Sequence, residues 1–226
     1  MLDSIDIKKE LTEEEAEELD LKINATVDAA LDYAPDLKLP SPFLRDFYED
    51  EANRIIWLQE SIDGQTLNIA KKIFKYNQLD KGLAIEKRKP VKIFIDTAGG
   101  SVSVMWQLIN VIRLSKTPIW TINFCDAMSA GSLILAAGHK RFALPGTTVL
   151  IHSGSCNYGG NVEQVESAKK YYDEMTKKTD DFLLDVTKIN PKEFKKRKSA
   201  DWYLSAEEAL ERGVIDKIVD DLDEIL

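Results

Sequence analysis

Ile119-Trp120-Thr121-Ile122-Asn123-Phe124-Cys125-Asp126-Ala127-Met128-Ser129-Ala130-Gly131-Ser132 is the stretch that decides the fold. Its first six residues are apolar or β-branched enough to make a buried strand, Ile119–Phe124. Small residues then surround Ser129, and the apolar run Ser132–Ala137 has the length of a short helix. A strand that turns into a helix at a serine leaves a hydroxyl where unpaired backbone N–H groups and a positive dipole end converge. Two readings of Ser129 stand side by side: a helix N-cap, or a nucleophile aimed at a substrate carbonyl. The surrounding residues are not the G-x-S-x-G elbow of the α/β-hydrolases.

The same strand-then-helix pattern extends to either side. Arg54–Leu58 reads as a strand, followed by helical spacing over Gly64–Asn77 through Leu67, Ala70, Ile73 and Phe74. Val91–Asp96 is another strand, ending in Thr97-Ala98-Gly99-Gly100, and the next helix carries Val104, Leu108, Val111 and Ile112 on one face. Arg141–Leu144 and Thr148–Ile151 are two more strands. Ser205-Ala206-Glu207-Glu208 forms a capping box for a short helix that stops at Gly213, and Val214–Val219 is a last strand. Such alternation implies an α/β fold: a mostly parallel sheet covered by helices, with right-handed crossovers.

Ligands of parallel sheets sit beyond the carboxyl ends of the strands. Gly99-Gly100, Ser129 and His152 all follow strand ends, so three distant segments converge on one edge. The glycine pair is either a tight turn or a backbone N–H aimed at an oxyanion, partnered by the N–H of Ala130. The chain holds two histidines, His139 and His152. His139 lies in the polar turn Gly138–Arg141 and is expected to face solvent. If Ser129 draws its base from this chain, that base is His152; a structural histidine at a strand end is the other reading. Asp201 is one of 39 acids, and the residues alone do not single it out. Its aromatic neighbours Trp202 and Tyr203 are expected to limit its exposure.

The charge is unevenly placed. Residues 1–36 hold twelve acids against three lysines, which accounts for the whole net charge of −9. A capped helix is expected from Thr12, then a linker containing Pro35, Pro40 and Pro42. Residues 1–42 thus read as an acidic extension, and 43–226 as the main domain. No basic surface suggests nucleic acid, no apolar run suits a bilayer, and the acidic start is unlike a secretory signal; a cytoplasmic protein is expected. Cys125 and Cys156 have no metal-ligand spacing and are expected to be buried and inert. A long helix over about Val162–Lys188 has interleaved charges on one side. Tyr171, Tyr172, Met175, Phe182 and Leu183 form an apolar face on it that wants a partner.

Taken together, Ile95–Gly100, Ala127–Gly131, Lys140–Pro145, Ile151-His152 and Asp201–Ala206 resemble, in order and spacing, the Clp-type serine peptidases of the ClpP/crotonase fold. The resemblance covers roughly residues 47–220. It implies Ser129 as nucleophile, His152 as general base and Asp201 as its orienting partner, with oxyanion N–H groups from Gly100 and Ala130. No cofactor or metal is implied. It further implies homo-oligomeric heptameric rings, stacked through the long helix into a double ring. An AAA+ unfoldase would supply unfolded polypeptide. The sequence departs from the family at Ser153-Gly154, where glutamine-proline is usual, in the displaced Gly159-Gly160, and at Ala200, where an arginine is usual that bonds across the rings at the position of Asn161. Two other readings stay open: a phage-type capsid maturation protease that needs no ATPase, and a crotonase-type enzyme acting on acyl-CoA.

Overall fold

The computed structural model describes residues 45–226; the helix expected from Thr12 lies outside them. The described residues run α1 (Arg45–Asn53), β1 (Ile55–Leu58), α2 (Leu67–Leu79), β2 (Val91–Thr97), α3 (Val102–Leu114), β3 (Ile119–Met128) and α4 (Ala130–Ala136). Then follow β4 (Lys140–Ala143), β5 (Thr148–Ile151), α5 (Val162–Val186), α6 (Pro191–Arg197), β6 (Trp202–Ser205), α7 (Ala206–Glu211) and β7 (Lys217–Ile218).

The main path of the sheet is β1-β2-β3-β4-β7, all parallel, as the alternation implied. Its central strands β2 and β3 carry the core: Val91, Ile93, Ile95, Ile119 and Ile122 are fully buried. β3 is longer than expected, because the polar pair Cys125-Asp126 does not end it. A register shift absorbs the pair: Ile95 sits opposite Asn123, yet Thr97 sits opposite Ala127. On its other side β3 changes partner. Trp120–Asn123 pair with β4, whereas Asp126–Met128 pair with Thr148–Leu150 of β5. Buried Asn123 stands at the changeover and donates through Nδ2 to the Thr148 carbonyl at 3.0 Å.

Three elements were not foreseen: α1, α6 and β6. Asn190 caps α6 with Pro191 at its first position, a helix-start signature, and β6 pairs antiparallel with β5. The last strand shrinks to Lys217-Ile218, although Val214 and Ile215 are buried as a strand reading requires. The capping box at Ser205 forms as expected: its hydroxyl accepts from Glu208 N–H, and Glu208 returns a bond to Ser205 N–H. Gly213 takes the left-handed φ of 64° that stops α7.

α5 has 25 residues, about 37 Å of helix. Only Phe182 and Leu183 are buried. Tyr171 and Tyr172 are exposed, so the expected apolar face is covered only at its C-terminal end. Arg141 fixes that end, donating to the carbonyls of Val186 and Gly213 at 2.7 and 2.8 Å.

Arg54 takes a left-handed φ of 57° and places its guanidinium on buried Asp80, with bonds of 2.6 and 2.7 Å. The Arg54 hydrogen bonds, helped by Thr117, hold the Asp80 carboxyl below its ordinary value of 3.8 against the opposing effect of burial. The stabilisation is therefore full at neutral pH and is lost as pH falls from the ordinary value through the lowered one. Asp80→Ala leaves the partly buried Arg54 guanidinium with the Lys89 carbonyl but without its carboxylate, and should cost about 3 kcal/mol in urea unfolding at pH 7. That deficit should shrink in acid.

Candidate active site

β3 delivers Ser129 to the carboxyl edge of the sheet. Met128 pairs with Leu150, and the Ser129 N–H donates to the Leu150 carbonyl at 2.9 Å. The backbone then turns sharply, with Ser129 at φ 52°, ψ −120°. A side chain in that region costs about 1–3 kcal/mol and persists only where its surroundings impose it. Gly99 is one such constraint: a Cβ there would lie 2.8 Å from both the Met128 carbonyl and the Ser129 Cβ. Gly131 is another, since a Cβ would meet Thr97 Cγ2 at 2.6 Å, which lets α4 pack directly on β2.

The N-cap reading of Ser129 fails. Its hydroxyl makes no capping bond to α4. Instead Oγ lies 2.8 Å from His152 Nε2. β5 brings the imidazole there, because His152 directly follows the Leu150-Ile151 pair that flanks Met128 and Ser129. β6 lies on the other side of β5, with Trp202 opposite Ile151. One residue further out, Asp201 Oδ1 stands 3.3 Å from His152 Nδ1. That separation exceeds the 2.7–2.9 Å usual for a charge-assisted bond, and the Asp201 side chain is 57% exposed. The expectation that aromatic neighbours shelter it is not met: Trp202 turns into the core and Tyr203 faces outward.

The Gly100 and Ala130 N–H groups have no hydrogen-bond partner among the described residues. Both residues line, with Ser129 and His152, a cavity of about 370 Å³. Gly100 is confined there by the bridge to Ile62, whose N–H and carbonyl bond Gly99 and Ser101. Val102, Met105, Leu133 and Met175 give the cavity an apolar side. The site therefore pairs a hydroxyl and an imidazole beside two unengaged N–H donors, the set that acyl transfer requires.

His139 lies on the surface, as expected, at the opposite end of β3. Its Nδ1 accepts the Ile119 N–H at 2.9 Å, and local desolvation lowers its pKa. Both cysteines are exposed, which corrects the expectation that they are buried. Cys156 lines the cavity and donates to Tyr158 Oη at 3.0 Å. Asp126, burial and Asp96 raise the Cys125 thiol pKa. Among the described residues Asp96, Cys125 and Asp126 are the one trio with ligand atoms within 4.8 Å. None of them lines the Ser129 cavity. Ser153, Asp180 and Lys198 also crowd the site. Ser153 stood out only as a departure from the family, and nothing in the sequence placed Asp180 or Lys198 here, because their proximity depends on how α5, β5 and β6 come together.

Comparison with known proteins bears on what this geometry is. The Clp protease family model matches residues 46–221. The chain belongs to the Clp protease family. It is 31% identical over 137 residues to a protein of Treponema denticola named ATP-dependent Clp protease proteolytic subunit 2, covering 60% of this chain and 68% of that one. It is 29% identical over 177 residues to the ATP-dependent Clp protease proteolytic subunit of Deinococcus radiodurans, covering 74% of this chain and 81% of that one. The chain is thus a ClpP-like protease, a hydrolase, on an α/β fold of that family. Among the described residues no helix is long and apolar enough to cross a membrane.

The strain at Ser129 makes a checkable statement. Ser129→Ala keeps a Cβ in the left-handed region, whereas Ser129→Gly removes it. The glycine variant should be the more stable of the two by about 1 kcal/mol. Thermal unfolding of both variants measures this, and equal midpoints would contradict it.

Proposed function

We propose that this chain is a serine endopeptidase in which Ser129, His152 and Asp201 act as nucleophile, general base and orienting carboxylate. The single observation that carries the reading is the 2.8 Å contact between Ser129 Oγ and His152 Nε2. With Nδ1 protonated towards Asp201, Nε2 is free to take the hydroxyl proton as Oγ attacks the scissile carbonyl. The carbonyl oxygen becomes an oxyanion and moves between the N–H groups of Gly100 and Ala130. Collapse of the tetrahedral species breaks the C–N bond, and the His152 imidazolium returns the proton to the leaving amine. Water, deprotonated by the same imidazole, then releases the acyl group and restores Ser129. A crotonase-type role is less well supported, because thioester chemistry has no need of a serine held against an imidazole.

The relatives support a wider setting for the proposal. Both are named as proteolytic subunits of ATP-dependent proteases. This chain on that reading is a cytoplasmic subunit of a heptameric ring, single or doubled, fed unfolded polypeptide by an AAA+ unfoldase. The exposed tyrosines and Val162 on the projecting half of α5 give a second ring something to pack against. Enclosure of the cavity within such a ring would restrict cleavage to threaded chains. Residues 1–42, on the same reading, are an extension outside the peptidase domain at 43–226.

The test is hydrolysis of a quenched fluorogenic peptide by the purified full chain, alongside its native mass. Ser129→Ala should lower kcat by at least ~10³-fold, and Asp201→Ala by roughly 10²–10⁴-fold. The native mass should equal seven or fourteen chains. Full activity in Ser129→Ala would overturn the proposal.

A further inference from the structure

The contact between His152 and Asp201 is loose, and neither residue is deeply buried: their side chains are 28% and 57% exposed. The β5–β6 ladder ends at Ile151 and Trp202, so the residues just beyond it need a further tie if the imidazole is to stay aimed at Ser129. Lys198 is placed to provide it. It lies three residues before Asp201, at the C-terminal cap of α6, where its N–H bonds the Phe194 carbonyl. Its own carbonyl accepts two bonds from the residue after His152: Ser153 N–H at 2.9 Å and Ser153 Oγ at 2.7 Å. Its ammonium reaches across to α5 and pairs with the carboxylate of Asp180, and also sits over the Phe194 ring, 5.6 Å from its centroid. About three quarters of both charged side chains is covered. Asp180 itself lines the cavity that holds Ser129 and His152.

We infer that Lys198 and Asp180 are positioning residues for the imidazole, tying the His152 and Asp201 segments to α5 as one unit. The inference rests on the peptidase reading above. Lys198 is a hub because its carbonyl acts on one side of the His152–Asp201 contact and its side chain fixes where that carbonyl sits. Release the ammonium, and the C-cap of α6 can drift, carrying Ser153 and the imidazole with it. A shift of about 1 Å in a reacting group is enough for roughly a 10²-fold loss of rate. Ser153 and Asp180 lie on the cavity wall, but its apolar side, Val102, Met105, Leu133 and Met175, is on residues that such a drift does not move. The pair therefore acts on kcat rather than KM. Because the two side chains work as one device, losing either forfeits its benefit, and losing both adds nothing further.

The experiment measures kcat and KM on a fluorogenic peptide for the assembled wild type, Lys198→Met, Asp180→Ala, the double variant and Lys198→Arg. Each single variant should lower kcat by about 10- to 100-fold with KM within about twofold. The double variant should be no slower than the slower single one, and Lys198→Arg should recover most of the loss. Unchanged kcat in Lys198→Met and Asp180→Ala would overturn the inference while leaving the peptidase reading intact. So would a loss expressed in KM alone, or single losses that multiply in the double variant. A wild type that hydrolyses no peptide would overturn the peptidase reading, and the inference with it. Should Lys198→Met fail to fold, Asp180→Ala and Lys198→Arg still decide the matter.

Discussion

The whole site depends on one pairing: the last three residues of β3 against the first three of β5. This short parallel ladder fixes where Ser129 ends up, because the Ser129 N–H is bonded to the Leu150 carbonyl. It also fixes where His152 begins, two residues beyond Leu150 on the partner strand. A hydroxyl and an imidazole from positions 23 apart in sequence thus meet without either side chain having to search. The pairing exists only because β3 leaves β4 at Asn123, and that departure is supported by the buried Asn123 amide bonded to the Thr148 carbonyl. The register shift between β2 and β3 lengthens the strand enough to reach the edge.

Energetically the edge is expensive and the interior makes up the difference. Ser129 is held in a backbone region that disfavours any side chain, and two residues of the cavity lining have N–H groups with no partner among the described residues. Against this stand the largely buried β2, the wholly buried α4 and the Arg54–Asp80 ion pair. Such a distribution is expected of catalytic proteins, where strain sits at the reacting centre and packing elsewhere maintains it.

Much of this was legible in the sequence, and the misses have identifiable causes. Apolar runs gave the parallel strands because burial on both faces leaves a strong local signal. Ser205 and Gly213 announced α7 because capping is also local. Cys125-Asp126 concealed the end of β3, since a register shift depends on the neighbouring strand and not on composition. Asn190-Pro191 carried a helix-start signature that the reading passed over. Ser129 and His152 could be picked as candidates from strand ends and from the scarcity of histidine. Asp201 could not: among 39 acids it came only from family resemblance, because the β5–β6 pairing that places it is non-local. Its exposure was misjudged for a related reason, since alternation in β6 sends Trp202 inward and away from the carboxylate. Lys198 and Asp180 were invisible for want of any local pattern.

The most direct measurement is covalent. The assembled wild-type protein is treated with a fluorophosphonate, digested, and the modified residue located by tandem mass spectrometry. A phosphonyl group on Ser129, absent from His152→Ala, is the predicted result. Modification of a different serine, or none at all in an assembled and folded preparation, would contradict the assignment of Ser129 as the nucleophile.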